Sequence, residues 1–268
     1  MKIKANGISM NYEVTGNGRW LILIHGAGDN LEAWWNQVFA FSQYYRVLMY
    51  DVRGYGQTET PSGEYNTDIL VQDLYELLKV LGVSGSYVLG YSMGGRIAVG
   101  LTLSHPEMVN ALIIANSGVA PVQRSQEETQ EMMKLRQERV KTVEKHGFEP
   151  GIDESTATVF SLGWPEQHSE VFEHYKGIRL KNDPEAYLVA MRATVWGMPP
   201  PDVSGIRCPT LIIAGEKDSL MGAESGRASQ ELIPGSHLKV MATGHASAIE
   251  NPQEFNSIVL AFLAGLPN

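Results

Sequence analysis

The segment Val88-Leu-Gly-Tyr-Ser-Met-Gly-Gly95 joins an apolar run, Ser86 to Leu89, to an apolar stretch with helical character, Arg96 to Leu103. A chain can turn from strand to helix in so few residues only where side chains next to the turn are missing, and glycines on both sides of Ser92 meet that need. A strand that passes straight into a helix commits its neighbourhood to βα crossover units, and hence to a parallel sheet covered by helices. Further apolar runs fit such a sheet: Trp20 to Ile24, Arg46 to Tyr50, Asn110 to Ala115, Pro209 to Ala214 and Leu238 to Met241. Between them, Leu31 to Ser42, Thr67 to Leu81 and Pro252 to Leu263 carry apolar residues at helical spacing. At the N-terminus, Ile3 to Ala5 and Ser9 to Val14 flank Asn6-Gly7, the signature of a tight hairpin. The expectation is an α/β fold with a mostly parallel, eight-stranded sheet.

The rhythm breaks after Val119. Up to about Pro200 the chain reads as charged helices, Gln126 to Lys145, pieces around Phe160 to Tyr175, and Pro184 to Thr194, before Met198-Pro-Pro-Pro201 forbids regular structure. Residues 1–118 and 201–268 therefore read as one core and 119–200 as an inserted helical cap. A length of 268 residues with 43% hydrophobic content suits one large domain with an insertion. With 21 Lys and Arg against 30 Asp and Glu, the formal charge of −9 excludes the basic footprint of a nucleic-acid binder. Cys208 is the single cysteine, so no disulfide framework forms within the chain. The N-terminal residues lack a signal-like apolar core, and no run approaches the ~18 apolar residues of a membrane span. A soluble cytoplasmic protein is expected, of an oligomeric state that the sequence leaves open.

A serine hydroxyl is a weak nucleophile at neutral pH and needs a histidine to take its proton and a carboxylate to orient that histidine. Two later loops supply both: the strand Thr210 to Ala214 runs into Gly215-Glu-Lys-Asp218, and Leu238 to Met241 runs into Thr243-Gly-His245. Both emerge at the carboxyl edge of a parallel sheet, the same edge as Ser92. Glu216 is the alternative acid, Asp51 reads as a structural carboxylate bonding backbone amides or Arg53, and Asn116 cannot ionise. Of the seven histidines, His105 reads as packing, while His146, His168, His174 and His237 lie in polar surroundings. No metal-ligand spacing occurs, and no cofactor is expected.

Through His25-Gly-Ala-Gly28, Asp51-Val-Arg-Gly-Tyr-Gly-Gln-Thr58, Gly90-Tyr-Ser-Met-Gly-Gly95, Gly215-Glu-Lys-Asp218 and Gly244-His-Ala-Ser-Ala-Ile-Glu-Asn-Pro-Gln-Glu-Phe255, the chain resembles the α/β-hydrolase family over nearly its whole length. The resemblance implies a triad of Ser92, Asp218 and His245. It also implies an oxyanion hole made by the backbone N–H groups of Ala27 and Met93, with His25 bracing the loop. Within the family the chain looks like cofactor-free esterases and lactonases, including acyl-homoserine lactonases, and like perhydrolases and carbon–carbon bond hydrolases. Serine at 92 departs from the dehalogenases and epoxide hydrolases, which carry aspartate there. A menaquinone-pathway lyase and non-turnover receptors on the same fold are the competing expectations.

The leading expectation is hydrolysis of a small, largely apolar carboxylic ester or lactone through an acyl-enzyme. Trp34, Trp164, Tyr187, Met191 and Trp196 are candidate pocket residues, although each equally suits packing of the cap on the core. A polyanionic lyase substrate would instead call on Arg96, Arg124, Arg136, Arg179 or Arg192. From the absence of ligand spacing, chelation with EDTA leaves turnover unchanged; activity lost to EDTA and restored by zinc would refute a metal-free reaction.

Overall fold

A computed structural model of the chain describes residues 1–61, 65–120, 126–195 and 202–266, with side chains left out at 126–129, 131–133, 135, 136, 139, 194 and 195. The sheet has the order β1-β2-β4-β3-β5-β6-β7-β8, built from β1 (Lys2–Ala5), β2 (Ile8–Thr15), β3 (Trp20–Ile24), β4 (Arg46–Tyr50), β5 (Ser86–Tyr91), β6 (Val109–Ala115), β7 (Thr210–Gly215) and β8 (His237–Met241). β1 pairs antiparallel with β2, and β2 with β4; every later pairing is parallel. Asn6 and Gly7 both take positive φ, 45° and 79°, as the two-residue hairpin requires. The inner strands β3, β5, β6 and β7 are buried almost throughout because helices cover both faces.

One face carries α2 (Thr67–Val80) and α3 (Met93–Ser104), whose Leu70, Leu74, Leu77, Ile97 and Leu101 pack on Ile22, Val88 and Leu112. The other face, with Leu23, Leu89 and Ile113, meets α1 (Trp35–Phe41) and α11 (Pro252–Ala264) through Phe41, Phe255 and Val259. A helix that the sequence patterning does not announce, α9 (Gly222–Leu232), lies against β7 and β8. It carries few large apolar residues, and it packs closely because a Cβ on Gly226 would come within 2.9 Å of the Ala214 side chain.

Between β6 and β7 the described chain forms helices and no strand: α4 (Gln126–His146), α5 (Phe148–Ala157), α6 (Trp164–Gln167), α7 (Ser169–Arg179) and α8 (Pro184–Val195), with a 3-10 turn at Val203–Gly205 before β7. The helical pieces expected around Phe160 to Tyr175 are α6 and α7; Gly163 caps α6 with Pro165 in its first turn, and non-helical His168 separates the two. A short helix α10 (Ser247–Glu250) precedes α11. The triple-proline return lies outside the described residues. Among those that are described, no helix is long and apolar enough to cross a membrane.

One buried ion pair fastens the N-terminal hairpin to this frame. Arg53 Nε and Nη2 each donate to Asp73 at 2.7 Å, and Asn6 Nδ2 donates to the same carboxylate at 2.7 Å. Asp73→Ala therefore costs about 3 kcal/mol or more in urea unfolding, since it strands the Arg53 cation beneath Tyr65. A loss below about 1 kcal/mol would show that the pair behaves as a surface one.

Candidate active site

The turn after β5 is strained by design of its neighbours. Ser92 sits at φ 52°, ψ −114°, a conformation worth roughly 1–3 kcal/mol of backbone strain for a residue with a side chain. Its main chain is pinned on both sides: Ser92 N–H donates to Ala115 O at 2.9 Å, and Ser92 O accepts from Gly95 N at 3.0 Å and Ser117 Oγ at 2.6 Å. A Cβ on Gly90 would lie 2.1 Å from Gly94 O, on Gly94 2.2 Å from Ile24 O, and on Gly95 2.5 Å from the Ser117 Cβ. The glycines thus let α3 start directly at Met93, three residues earlier than the apolar pattern suggests, and press its first turn against the end of β3.

The loop after β8 brings His245 to this serine. His245 Nε2 lies 2.9 Å from Ser92 Oγ, and Nδ1 lies 2.8 Å from Asp218 Oδ2. The ionised carboxylate can only accept, so the proton sits on Nδ1 and the Nε2 lone pair faces the hydroxyl. Asp218 Oδ1 accepts from the amides of Leu220 and Met221 at 2.8 and 3.0 Å. Burial alone would raise the Asp218 pKa, but the hydrogen bond and charge of His245 and these two amides hold it below the ordinary carboxylate range. Glu216, the alternative acid, is exposed while Asp218 is buried.

Asn116 enters this arrangement without having been singled out for it. At φ 47°, a conformation asparagine tolerates, its Nδ2 donates to Asp218 Oδ2 and to Gly244 O, each at 3.3 Å. Its Oδ1 accepts from Ser247 Oγ at 2.7 Å, and Ser247 Oγ in turn accepts from Thr243 Oγ1 at 2.9 Å. A neutral amide that ends a strand beside a carboxylate looks, in sequence, like any loop asparagine; only the crossing of β6 and β7 loops puts them together.

The loop after β3 reaches the same spot. His25 is buried; Val52 N–H donates to its Nε2 at 2.9 Å, and its Nδ1 donates to Gly26 O at 2.8 Å. Burial lowers its pKa against the opposing pull of Asp51, so the ring is a neutral brace. Gly26 O also accepts from Asp29 N at 3.2 Å. In a trans peptide the Gly26 carbonyl and the Ala27 N–H point in opposite directions, so anchoring one aims the other. Met93 N–H, in the first turn of α3, has no carbonyl partner within its helix. Asp51 bonds the amides of Leu31 and Gln57 and the Asn11 side chain, at 2.8 Å each; Arg53 turns to Asp73 instead.

The candidate pocket residues divide by location. Trp34 is buried against the sheet in the cluster containing Leu23, Phe41 and Tyr91, beside a cavity of about 20 Å³ that His25, Asp29 and Ala246 also line. Tyr187 and Met191 are buried in the larger core cluster, Tyr187 with its ring edge-on to Tyr55 and Phe148. Trp164 is half-buried and stacks between Phe160 and His168, each 4.5 Å away. Trp196 lies outside the described residues. His105 stacks on Tyr75 at 3.6 Å, and His146, His168, His174 and His237 are exposed.

Comparison with known proteins converges on one fold. The family model described as alpha/beta hydrolase fold matches residues 19–150. The 3-oxoadipate enol-lactonase 2 of Acinetobacter baylyi is 30% identical over 263 residues, covering 97% of this chain and 95% of its own. The 2-hydroxy-6-oxo-6-(2'-aminophenyl)hexa-2,4-dienoic acid hydrolase of Metapseudomonas resinovorans is 27% identical, covering 98% of this chain and 90% of its own. The crystal structure of the enol-lactonase from Burkholderia xenovorans superposes with a TM-score of 0.89 at 26% identity, over 98% of this chain and 100% of that one. With its eight-stranded sheet and a 30% identical relative matched almost end to end, the chain belongs to the α/β-hydrolase family.

Proposed function

We propose that the protein hydrolyses a carboxylic ester or lactone through an acyl-enzyme. The observation that carries this reading is the continuous chain of hydrogen bonds Asp218–His245–Ser92, ending on a serine held at a strand-to-helix turn. Ser92 Oγ attacks the carbonyl carbon while His245 Nε2 takes its proton. The oxygen of the tetrahedral intermediate accepts from the N–H groups of Ala27 and Met93, each worth roughly 3 kcal/mol in such a hole. His245 then protonates the leaving alkoxide, which in a lactone stays tethered to the acyl chain. A water molecule, deprotonated by the same nitrogen, releases the acid. The described helices between β6 and β7, α4 to α8, act as the cap over this edge.

The ester or lactone bond as target draws support from the enol-lactonase relative. A small, largely apolar substrate is supported by the state of the candidate arginines. Arg179 is buried on Asp29, Arg192 pairs with Glu144, and Arg96 Nε donates to Gly118 O, while Arg124 and Arg136 lie outside the described side chains. Of the candidate pocket residues, half-buried Trp164 is the apolar group best placed to meet a substrate, while Trp34, Tyr187 and Met191 are buried in the core clusters. Carbon–carbon bond hydrolysis is the second reading, favoured by the name of the 27% identical relative; turnover of p-nitrophenyl esters, acyl-homoserine lactones and vinylogous diketones on one preparation separates the two.

Ser92→Ala lowers turnover by at least about 10⁴-fold with the fold intact. Asp218→Asn is severe and Glu216→Gln mild; near-wild-type turnover in Ser92→Ala would remove the proposed nucleophile. In an acyl-chain series, kcat/KM rises over the first few carbons, by up to about fourfold each at ~0.8 kcal/mol per buried methylene, and then levels off. It changes little with salt. A flat series with a KM that climbs steeply with ionic strength points instead to a polyanionic substrate.

A further inference from the structure

The turn that carries Ala27 is gripped from the insertion as well as from His25. Tyr175 Oη donates to Asp29 Oδ1 at 2.6 Å. Arg179 Nε lies 3.6 Å from that oxygen and 3.4 Å from Gly28 O, with Nη1 donating to Thr156 Oγ1 at 2.9 Å. Asn182 Nδ2 donates to the same Gly28 O at 2.9 Å, while its Oδ1 accepts from Gly56 N at 2.6 Å. In the opposite direction, Asn30 Nδ2 donates to Ile178 O at 2.8 Å. Asp29, Asn30, Tyr175, Arg179 and Asn182 are all at most 3% exposed. Gly28, at φ 85°, has no room for a side chain, since a Cβ would meet Arg179 Nη2 at 2.4 Å.

Burying an arginine, an aspartate and two asparagines at one contact costs more than an apolar seam of the same size. None of them belongs to the chain from Ser92 to Asp218. Their common effect is on peptide planes. Asp29 N–H closes the turn on Gly26 O, and Gly26 O shares its peptide plane with Ala27 N–H, so a rotation at Gly28 or Asp29 swings the Ala27 donor.

We propose that Tyr175, Arg179 and Asn182 are positioning residues for the oxyanion hole: acting through Asp29 and Gly28, they keep Ala27 N–H aimed at the carbonyl oxygen, so that seating of α7 on the core sets the hole. This rests on the serine-hydrolase reading above. A hole of this kind stabilises the transition state only while its donors stay aligned, and small displacements are costly.

Tyr175→Phe keeps the ring packed against Phe160 and Trp35 and removes only the hydroxyl; Asn182→Ala removes the grip on Gly28 O. Each lowers kcat by roughly tenfold or more with KM within about twofold. Affinity for an alkylboronic acid, whose tetrahedral anionic adduct on Ser92 places an oxygen in the hole, falls by the same factor as kcat/KM. Arg179→Lys keeps more activity than Arg179→Met. An unchanged kcat, or a loss confined to KM with boronate affinity intact, overturns the proposal. So does a loss that merely tracks the unfolded fraction in thermal melts. A wild-type protein that binds no boronate, or turns over without Ser92, defeats the underlying reading and this one with it; a Ser92-dependent, boronate-inhibited enzyme indifferent to Tyr175→Phe defeats this one alone.

Discussion

Ser92 at φ 52° is the constraint around which the rest is arranged. A non-glycine residue there returns to an ordinary conformation unless its surroundings over-determine it. Pairing of β5 with both β3 and β6, three glycines without room for a Cβ, and the Ser117 hydroxyl on Ser92 O supply that over-determination. The same contacts fix where α3 begins, and with it the Met93 amide. Strand order, helix start and serine placement are therefore one packing problem with one solution, and a change at Gly94 acts on β3 as directly as on Ser92.

Beyond the sheet edge the loops have no ladder to hold them, and buried or half-buried carboxylates take over. Asp51 accepts from the amides of Leu31 and Gln57, Asp218 from those of Leu220 and Met221, and Glu250 Oε1 from those of Gly244 and Ser161 at 3.0 and 2.7 Å. Each carboxylate ties a loop to itself or to another and leaves few backbone donors unpaired. For Asp218, whose folded pKa is depressed, the associated stability is fully present above the unfolded carboxylate range and is lost as pH falls through the lower folded value. Asp29 differs: burial lifts its pKa against the pull of Arg179 and the Tyr175 hydroxyl, and its side-chain partners come from α7 rather than from its own loop.

This division explains what could be read from the sequence. Strands buried on both faces, such as Trp20–Ile24 and Arg46–Tyr50, announce themselves as unbroken apolar runs, and their bounds emerge to the residue. The candidates Ser92 and Asp218 stand out because they follow such runs, β5 and β7, whereas His245 follows the mostly exposed edge strand β8 and stands out only by its Gly-His loop. α9 was not, because its contact with the sheet is made through Gly226 and small side chains, which leave no periodic signal. Asn116, and the grip of Tyr175, Arg179 and Asn182 on the loop after β3, join residues from 102 to 154 positions apart. No local pattern encodes such pairings. Arg179 in particular read as a cation available to a substrate, and the structure spends its charge on Asp29.

The same partition bears on how one core serves relatives named as an enol-lactonase and as a dienoic acid hydrolase, and on the two readings proposed above, lactone and carbon–carbon bond hydrolysis. Under the proposed reading, attack by Ser92 on a carbonyl carbon and stabilisation of the resulting oxyanion would serve both reactions, and the groups proposed for them lie at the carboxyl edge of the sheet. What differs is the leaving group: an alkoxide takes one proton from His245 and departs, whereas a carbon leaving group must first be made stable enough to leave. That choice depends on how the far end of the substrate is held, and so on the insertion. Because α7 also grips the loop bearing Ala27, the proposed positioning role would couple substrate selection to the oxyanion hole: a change that reseats α7 to admit a new leaving group would also move the proposed donor.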